Sequence, residues 1–236
     1  MMLKQSALLA SILLFLVSCG ESSKKKSSPT KPDAIKIDST EKKKDTIVKT
    51  KEKAFVLTEE NAIDFFFEYA KELKKDKVKL TTSMGSFTIQ LFDNVPYHKA
   101  NFIYLTEKGY FDNSQFHRVV KNFIVQGGNS DDIETARKRT KIGRYLLPPD
   151  AKKGHKHHRG VISMPSSERD NPHMLASPYE FFIVVTKPGS YHLDGSYTPF
   201  GKVISGMDVV DAISNVPVGD GDWPLQNIYI LKAEVL

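Results

Sequence analysis

The 236-residue chain holds one cysteine, Cys19, so it cannot form a disulfide within itself. It has no internal repeat, which argues against a solenoid or a repeat array. It has no net charge where a folded domain would lie. Residues 20–53 carry eleven lysines against six acids, Lys4 adds one more positive charge, and residues 54–236 carry 22 basic and 22 acidic side chains. The formal +6 therefore belongs to a tail, and the folded part lacks the basic face that a nucleic-acid partner would need. There is also no apolar run long enough to cross a bilayer. The best candidate, "SALLASILLFLVSC" at residues 6–19, is too short.

That short run has another use. Lys4, the apolar stretch and the small residues after it have the layout of a signal peptide over residues 1–18. Leu16-Val17-Ser18-Cys19 resembles the lipobox of bacterial lipoproteins. The resemblance implies cleavage before Cys19, acylation of its thiol (palmitate is the expected chain) and anchoring to a membrane. The alternative is an uncleaved core or membrane helix with an incidental cysteine. Buried acyl carbons contribute about 0.8 kcal/mol each, so two or three chains anchor stably. Gly20 stands where an Asp would favour inner-membrane retention, so the expected location is the cell envelope, at the outer membrane in a Gram-negative cell.

Residues 19–54 are rich in Lys, Ser, Thr and Pro without apolar periodicity, as expected of a lipid-anchored disordered linker. A polybasic lipid-binding patch is the other reading, but six acids interrupt it. Residues 55–77 form an extension with an amphipathic helix from Thr58 to Leu73, Thr58 being the expected N-cap. Ile63, Phe66, Phe67, Ala70 and Leu73 share one face. That face either packs on the following domain or docks a partner.

From residue 78 to 236 the pattern is of short strands. "VKLTTS" and "SFTIQLF" flank a Met84-Gly85 turn, and "GVISM", "EFFIVVT", "TPFGKVI" and "NIYILKAEVL" follow later. "PYHKANFIYLTEKG" and "GMDVVDAI" read as helices, and residues 131–158 read as a long polar loop. Eight short strands and two helices predict a mainly β fold: a closed eight-stranded antiparallel barrel with two capping helices, plus the N-terminal helical extension. A barrel of this size is filled by its own side chains, which sends any active site to an outer face or to loops.

"QFHRVVKNFIVQGGN", residues 115–129, supplies two of those strands and sets Arg118 and Gln126 among core-forming residues. If Lys121-Asn122 were the whole turn, the two polar residues would lie on opposite faces. If the loop is Lys121-Asn122-Phe123, Arg118 lies opposite Gln126 on one face. The second register is expected.

This stretch resembles the signature of the cyclophilins, barrel-shaped peptidyl-prolyl cis-trans isomerases. "VKLTTSMGSFTIQLFDNVPYHKANF", "GYFDNSQFHRV", "HRGVISM", "EFFIV", "LDGSYTPFGKVISGMDVVDAI" and "NIYILKAEVL" match in family order over about residues 78–236. The resemblance implies a cyclophilin-like barrel, no cofactor or metal, Pro-containing polypeptides as substrates and a monomer. It implies that Arg118 is catalytic and that Gln126 supports it. Phe123, Ile124, Phe182 and Leu193 become walls of a proline pocket, joined by Tyr197 at a position that is His or Tyr in the family. Without the family register those four apolar residues read as ordinary core.

The chain also departs from the pattern. Ile124 stands where many members have Met, and Glu180 replaces a Gln beside the substrate. Pro165 then precedes Ser166 in the segment that offers backbone contacts to an extended peptide, and a longer insertion follows. His192 takes the place of the Trp of cyclosporin-sensitive members, implying weak cyclosporin binding. "HKHHRG", with His155, His157 and His158, reads as a solvated basic loop or, less simply, a metal site. His117 is expected on the strand face opposite Arg118. "GDGDWP", with Asp220, Asp222 and Trp223, reads as a turn with weak likeness to a calcium loop. The function expected is isomerisation of Xaa-Pro bonds in exported proteins. The alternatives are a binding module on a cyclophilin scaffold and a structural envelope protein that binds through its Phe-rich helix.

Overall fold

Period-two alternation in the sequence becomes strands in the computed structural model, which describes residues 55–166 and 171–236. The expected signal peptide and linker, with Cys19, fall outside the described residues, as does part of the insertion after Ser166. In chain order the elements are β1 (Leu57–Thr58), α1 (Ala62–Glu72), β2 (Lys77–Thr82), β3 (Gly85–Leu91) and α2 (Pro96–Glu107). Then come β4 (Ser114–Val120), β5 (Ile124–Asn129), α3 (Ile133–Ile142), β6 (Gly143–Arg144) and β7 (Val161–Ser163). β8 (Phe181–Val184), β9 (Pro199–Ser205), α4 (Met207–Ser214) and β10 (Tyr229–Val235) complete the chain.

Eight strands close into an antiparallel barrel in the order β10-β2-β3-β9-β7-β8-β5-β4, with β10 returning to β4. Val78, Leu80 and Thr82 of β2 and Phe87, Ile89 and Leu91 of β3 point inward and are buried. The β2–β3 turn is closed by Thr82, whose hydroxyl donates to the Gly85 carbonyl at 2.8 Å and accepts from the Met84 N–H at 3.0 Å. Gly85 has φ +128°, and a Cβ there would meet Val209 at 2.8 Å. Phe87, Phe116 and Phe181 pack inside the barrel, with Phe116 edge-on to Phe181 at 5.9 Å.

α2 is buried on nearly every side, including Phe102, Ile103, Leu105 and a fully buried His98. Such a helix must be covered on its outer face as well as its inner one. α1 supplies that cover: Phe65, Phe66 and Tyr69 all set their rings against Tyr104 at 5.1–5.8 Å. The helix begins later than Thr58, at Ala62. Thr58 lies in β1, and its N–H bonds Asn61 Oδ1 at 2.8 Å. The expected face is also rotated. Phe66, Ala70 and Leu73 pack inward as expected, but Ile63 and Phe67 are exposed and Ala62, Phe65 and Tyr69 take their place. The packing role is the one seen.

The polar stretch 131–158 is not all loop. Asp132 accepts the Glu134 N–H at 3.0 Å and caps α3. The barrel's two expected capping helices, α2 and α4, are thus joined by a third. Among the described residues no helix is long and apolar enough to cross a membrane.

Candidate active site

β4 and β5 meet at a loop of three residues. Asn122 takes φ +60°, and the Phe123 N–H returns to the Val120 carbonyl at 3.0 Å. The ladder then pairs Val120 with Ile124, Val119 with Val125 and Arg118 with Gln126. This is the expected register, and it places both polar side chains on the outer face while Val119 and Val125 enter the core. Beyond it a bulge shifts the ladder so that Phe116 pairs with Gly127. A Cβ at Gly127 would crowd Phe116 at 3.1 Å and Phe181 at 3.2 Å, so glycine lets these rings close over the bulge. The extra residue breaks simple alternation. His117 is not on the face opposite Arg118 but reaches the outer-face acid Glu180, with Nε2 3.4 Å from Oε2.

β8 pairs with β5 so that Phe182 stands beside Gln126. Phe181 points into the barrel and Phe182 outward, where Ile124, Val184 and Leu193 form a small apolar cluster separate from the main core. Phe123 and Tyr197 pack against it, Tyr197 edge-on to Phe182 at 5.6 Å. His192 stacks on Phe123 at 5.3 Å. Leu193 ends a short 3-10 turn, and the next residue, Asp194, is held by His157 at 2.7 Å through Nδ1.

His157 also meets Ser163 Oγ at 2.9 Å through Nε2. The order Ser163–His157–Asp194 matches that of a nucleophile triad. Yet Ser163 and His157 are fully buried, so the chain braces the Leu193 turn. The histidine cluster is a solvated loop only in part: His158 and the flanking lysines are exposed, with His158 bonding Tyr191 at 2.9 Å, but His157 is buried and His155 stacks on Phe92 at 3.9 Å. Among the described residues no group of three or more His, Cys, Asp or Glu could hold a metal ion.

Together these elements enclose an open groove of about 620 Å³. Arg118, Gln126 and Glu180 form its polar side, and Phe123, Ile124, Phe182, Leu193 and Tyr197 its apolar floor. Ser166 and Pro165 line a rim with Ser177, whose N–H bonds the Pro165 carbonyl at 2.7 Å. All nine residues expected at the groove line it. Leu146 and Ser177 were not expected there, and neither has a local sequence signal. They arrive through single bridges that pair Leu147 and Ser166 with Ala176.

Glu180 does not pair with Arg118. Its Oε2 accepts from Gln126 at 2.9 Å and its Oε1 from Asn129 at 3.1 Å, and Arg139 of α3 lies 3.7 Å from Oε1. Burial alone would raise its pKa. The bonds from His117 and Gln126 and the charge of Arg139 outweigh burial and hold the carboxyl below its ordinary value. A carboxylate only accepts, so Gln126 must turn its NH₂ toward Glu180 and its carbonyl oxygen away. Arg118 is paired instead with Asp222, Nε to Oδ2 at 3.3 Å.

Comparison with known proteins agrees with this architecture. A family model described as cyclophilin type peptidyl-prolyl cis-trans isomerase matches residues 77–235. Peptidyl-prolyl cis-trans isomerase-like 3 of Dictyostelium discoideum is 38% identical over 66% of this chain and 92% of its own length. Peptidyl-prolyl cis-trans isomerase CYP18-2 of Arabidopsis thaliana is 36% identical over 68% of this chain and 93% of its own. The match to peptidyl-prolyl cis-trans isomerase-like 2 of Rhizopus delemar, at 35% identity, spans 30% of that longer protein. Among solved structures, a cyclophilin type isomerase of Cryptosporidium parvum superposes with TM-score 0.58 at 27% identity, covering 69% of this chain and 98% of that one. The same protein crystallised in the presence of the dipeptide Ala-Pro gives 0.57 at 28% identity, over 68% of this chain and 98% of that one.

Proposed function

The chain belongs to the cyclophilin-type peptidyl-prolyl cis-trans isomerase family, and from that membership we propose that Arg118 drives Xaa-Pro rotation by electrostatic stabilisation of the twisted amide, in proteins exported to the cell envelope. Amide resonance sets a barrier of about 18–20 kcal/mol, and uncatalysed exchange takes about 10–100 s. Rotation breaks no bond, so catalysis means binding the twisted amide better than either planar isomer. At the twist the nitrogen regains its lone pair. A guanidinium can donate to it or polarise the prolyl carbonyl, and its rigid fork of donors suits both.

The observation that carries this reading is the pairing of Arg118 with Gln126 on the groove side of the ladder, beside the Phe123–Ile124–Phe182–Leu193–Tyr197 floor. The floor takes the apolar ring, and Gln126 steadies the substrate backbone. Ser166 lies on the rim along which an extended peptide would run, in keeping with the dipeptide present in crystals of the Cryptosporidium relative, while Pro165 has no N–H to give it and its carbonyl is already taken by Ser177. The working unit is a monomer. Residues 1–19 support the setting: a signal peptide and a lipidated Cys19 would hold the barrel at the membrane through the linker.

The test is isomerisation of an Xaa-Pro tetrapeptide by the parent and by Arg118→Ala. A loss on the order of a hundredfold is expected, as for other fixed transition-state donors. Equal rates would reject the arginine mechanism. A second reading, a weakly catalytic binding module, draws on Glu180 and Pro165, where the chain departs from the family pattern. Tight binding of a Pro peptide with negligible turnover by the parent would favour it.

A further inference from the structure

Arg118 is a long side chain, 42% exposed, on a groove open to water. Free in solvent, it would sample many rotamers, and ordering it costs about 2 kcal/mol of side-chain entropy. Something must hold it if it is to act as a fixed donor. The candidate comes from the other end of the chain. The segment Pro217–Leu225 folds into a small braced loop: the Leu225 N–H bonds the Pro217 carbonyl at 2.9 Å and the Gly219 N–H bonds the Trp223 carbonyl at 2.8 Å. Its tip turns through two successive left-handed residues, Gly221 at φ +71° and Asp222 at φ +63°. Asp222 therefore projects from a defined turn, with its carboxylate 3.3 Å from Arg118 Nε. Trp223 packs its ring 5.9 Å from His117, the bulge residue next to Arg118, and so docks the tip on β4.

We propose that Asp222 is a positioning residue for Arg118, holding the guanidinium by its Nε edge so that the two Nη groups face the groove. Asp222 does not itself line the groove, and it acts only through Arg118. A carboxylate beside a catalytic cation could instead damp its charge, but both partners are about 40% exposed and solvent screens the pair. The same screening makes the pair alone a modest clamp, and the packing of Trp223 on His117, which docks the tip on β4, adds to its hold. The same tip reaches the second polar residue of the groove: Trp223 touches His117, His117 reaches Glu180, and Glu180 holds the Gln126 amide.

The proposal rests on the arginine mechanism, and its test separates the two. Asp222→Gly removes the carboxylate without backbone strain, because glycine accepts a positive φ. Asp222→Asn keeps an oxygen acceptor and also tolerates that φ. Asp222→Gly is expected to lower kcat about fivefold with KM within about twofold of the parent, since misplaced groups lose rate more than binding. Asp222→Asn should retain at least half of the parental kcat. Independently of turnover, the Arg118 Nε–H resonance of ¹⁵N-labelled protein should exchange with solvent about tenfold faster in Asp222→Gly than in the parent, as local protection is lost. Exchange as fast in the parent as in Asp222→Gly overturns the clamp. So does a kcat in Asp222→Gly equal to or above the parent's, or an Asn variant as slow as the Gly variant. If Arg118→Ala turns over as fast as the parent, the arginine mechanism fails, while the Nε–H exchange still decides whether Asp222 holds the side chain.

Discussion

Arg118 and Glu180 carry opposite charges beside the same groove, yet each pairs elsewhere, Arg118 with Asp222 and Glu180 with Gln126, Asn129, His117 and Arg139. That division decides what replacing Glu180 should do. Glu180→Gln can donate as well as accept, so the Gln126 amide loses its fixed orientation. The expected result is a KM raised about twofold to fivefold with kcat nearly unchanged, because the loss falls on substrate alignment more than on the twisted amide. Peptide titrations at several concentrations separate the two parameters. His98 makes a different prediction. It is fully buried with neither ring nitrogen partnered, and burial lowers its pKa from 6.5 to about 3. The unfolded chain binds a proton there as pH falls through about 6.5, and the folded protein does not until about 3. Across that window His98 makes stability fall with acidification by about 1.4 kcal/mol per pH unit, and the loss is absent above it. His98→Leu should flatten the slope of urea midpoints measured from pH 7 to pH 4. Arg118 and Gln126 were legible as one face because a short hairpin fixes its own register, whereas Ser166, Glu180, Phe182, Leu193 and Tyr197 lie outside that hairpin and were legible only through the family resemblance. The partners of Arg118 and Glu180 were not: Asp222 and Arg139 arrive from segments distant in the chain, and the bulge that redirects His117 follows from ring packing around Gly127.

α1 and α3 show how elements can be read and misread. The existence of α1 was legible from its apolar period. Its phase was not, since Phe65-Phe66-Phe67 and Tyr69 place aromatics almost all round, and only the exposed side of α2 selects among them. α3 was missed because just two of its ten residues, Ile133 and Ile142, are strongly apolar. Its signal was the Asp132 cap with Glu134 in the first turn. Two measurements follow. Phe66→Ala removes a fully buried ring between α1 and α2 and should destabilise the protein by about 3–5 kcal/mol. Turnover at low temperature should stay at the parental level, because no α1 residue lines the groove. Deleting residues 55–75 should lower the thermal midpoint by exposing the outer face of α2. An unchanged midpoint would show that α1 contributes little packing and would reopen its role as a docking helix.

The barrel as a whole was the most legible feature, since alternation and strand count together admit few architectures, and closure leaves no free edge among its eight strands. Where the protein resides depends on residues outside the described structure. If Cys19 carries lipid, Cys19→Ser should move the protein from the membrane fraction to the soluble one and abolish incorporation of labelled palmitate. Membrane retention without label would reject the anchor. If that lipid anchors the chain, the enzyme can also be pulled. The described chain enters through β1, whose only ladder is the two-residue parallel pairing of Leu57–Thr58 with Gly143–Arg144, and then through α1. Tension arriving from before residue 55 would peel this pairing and then α1 before it reached β2. The extension would act as a mechanical fuse, yielding at low force while the closed barrel and its groove kept their shape.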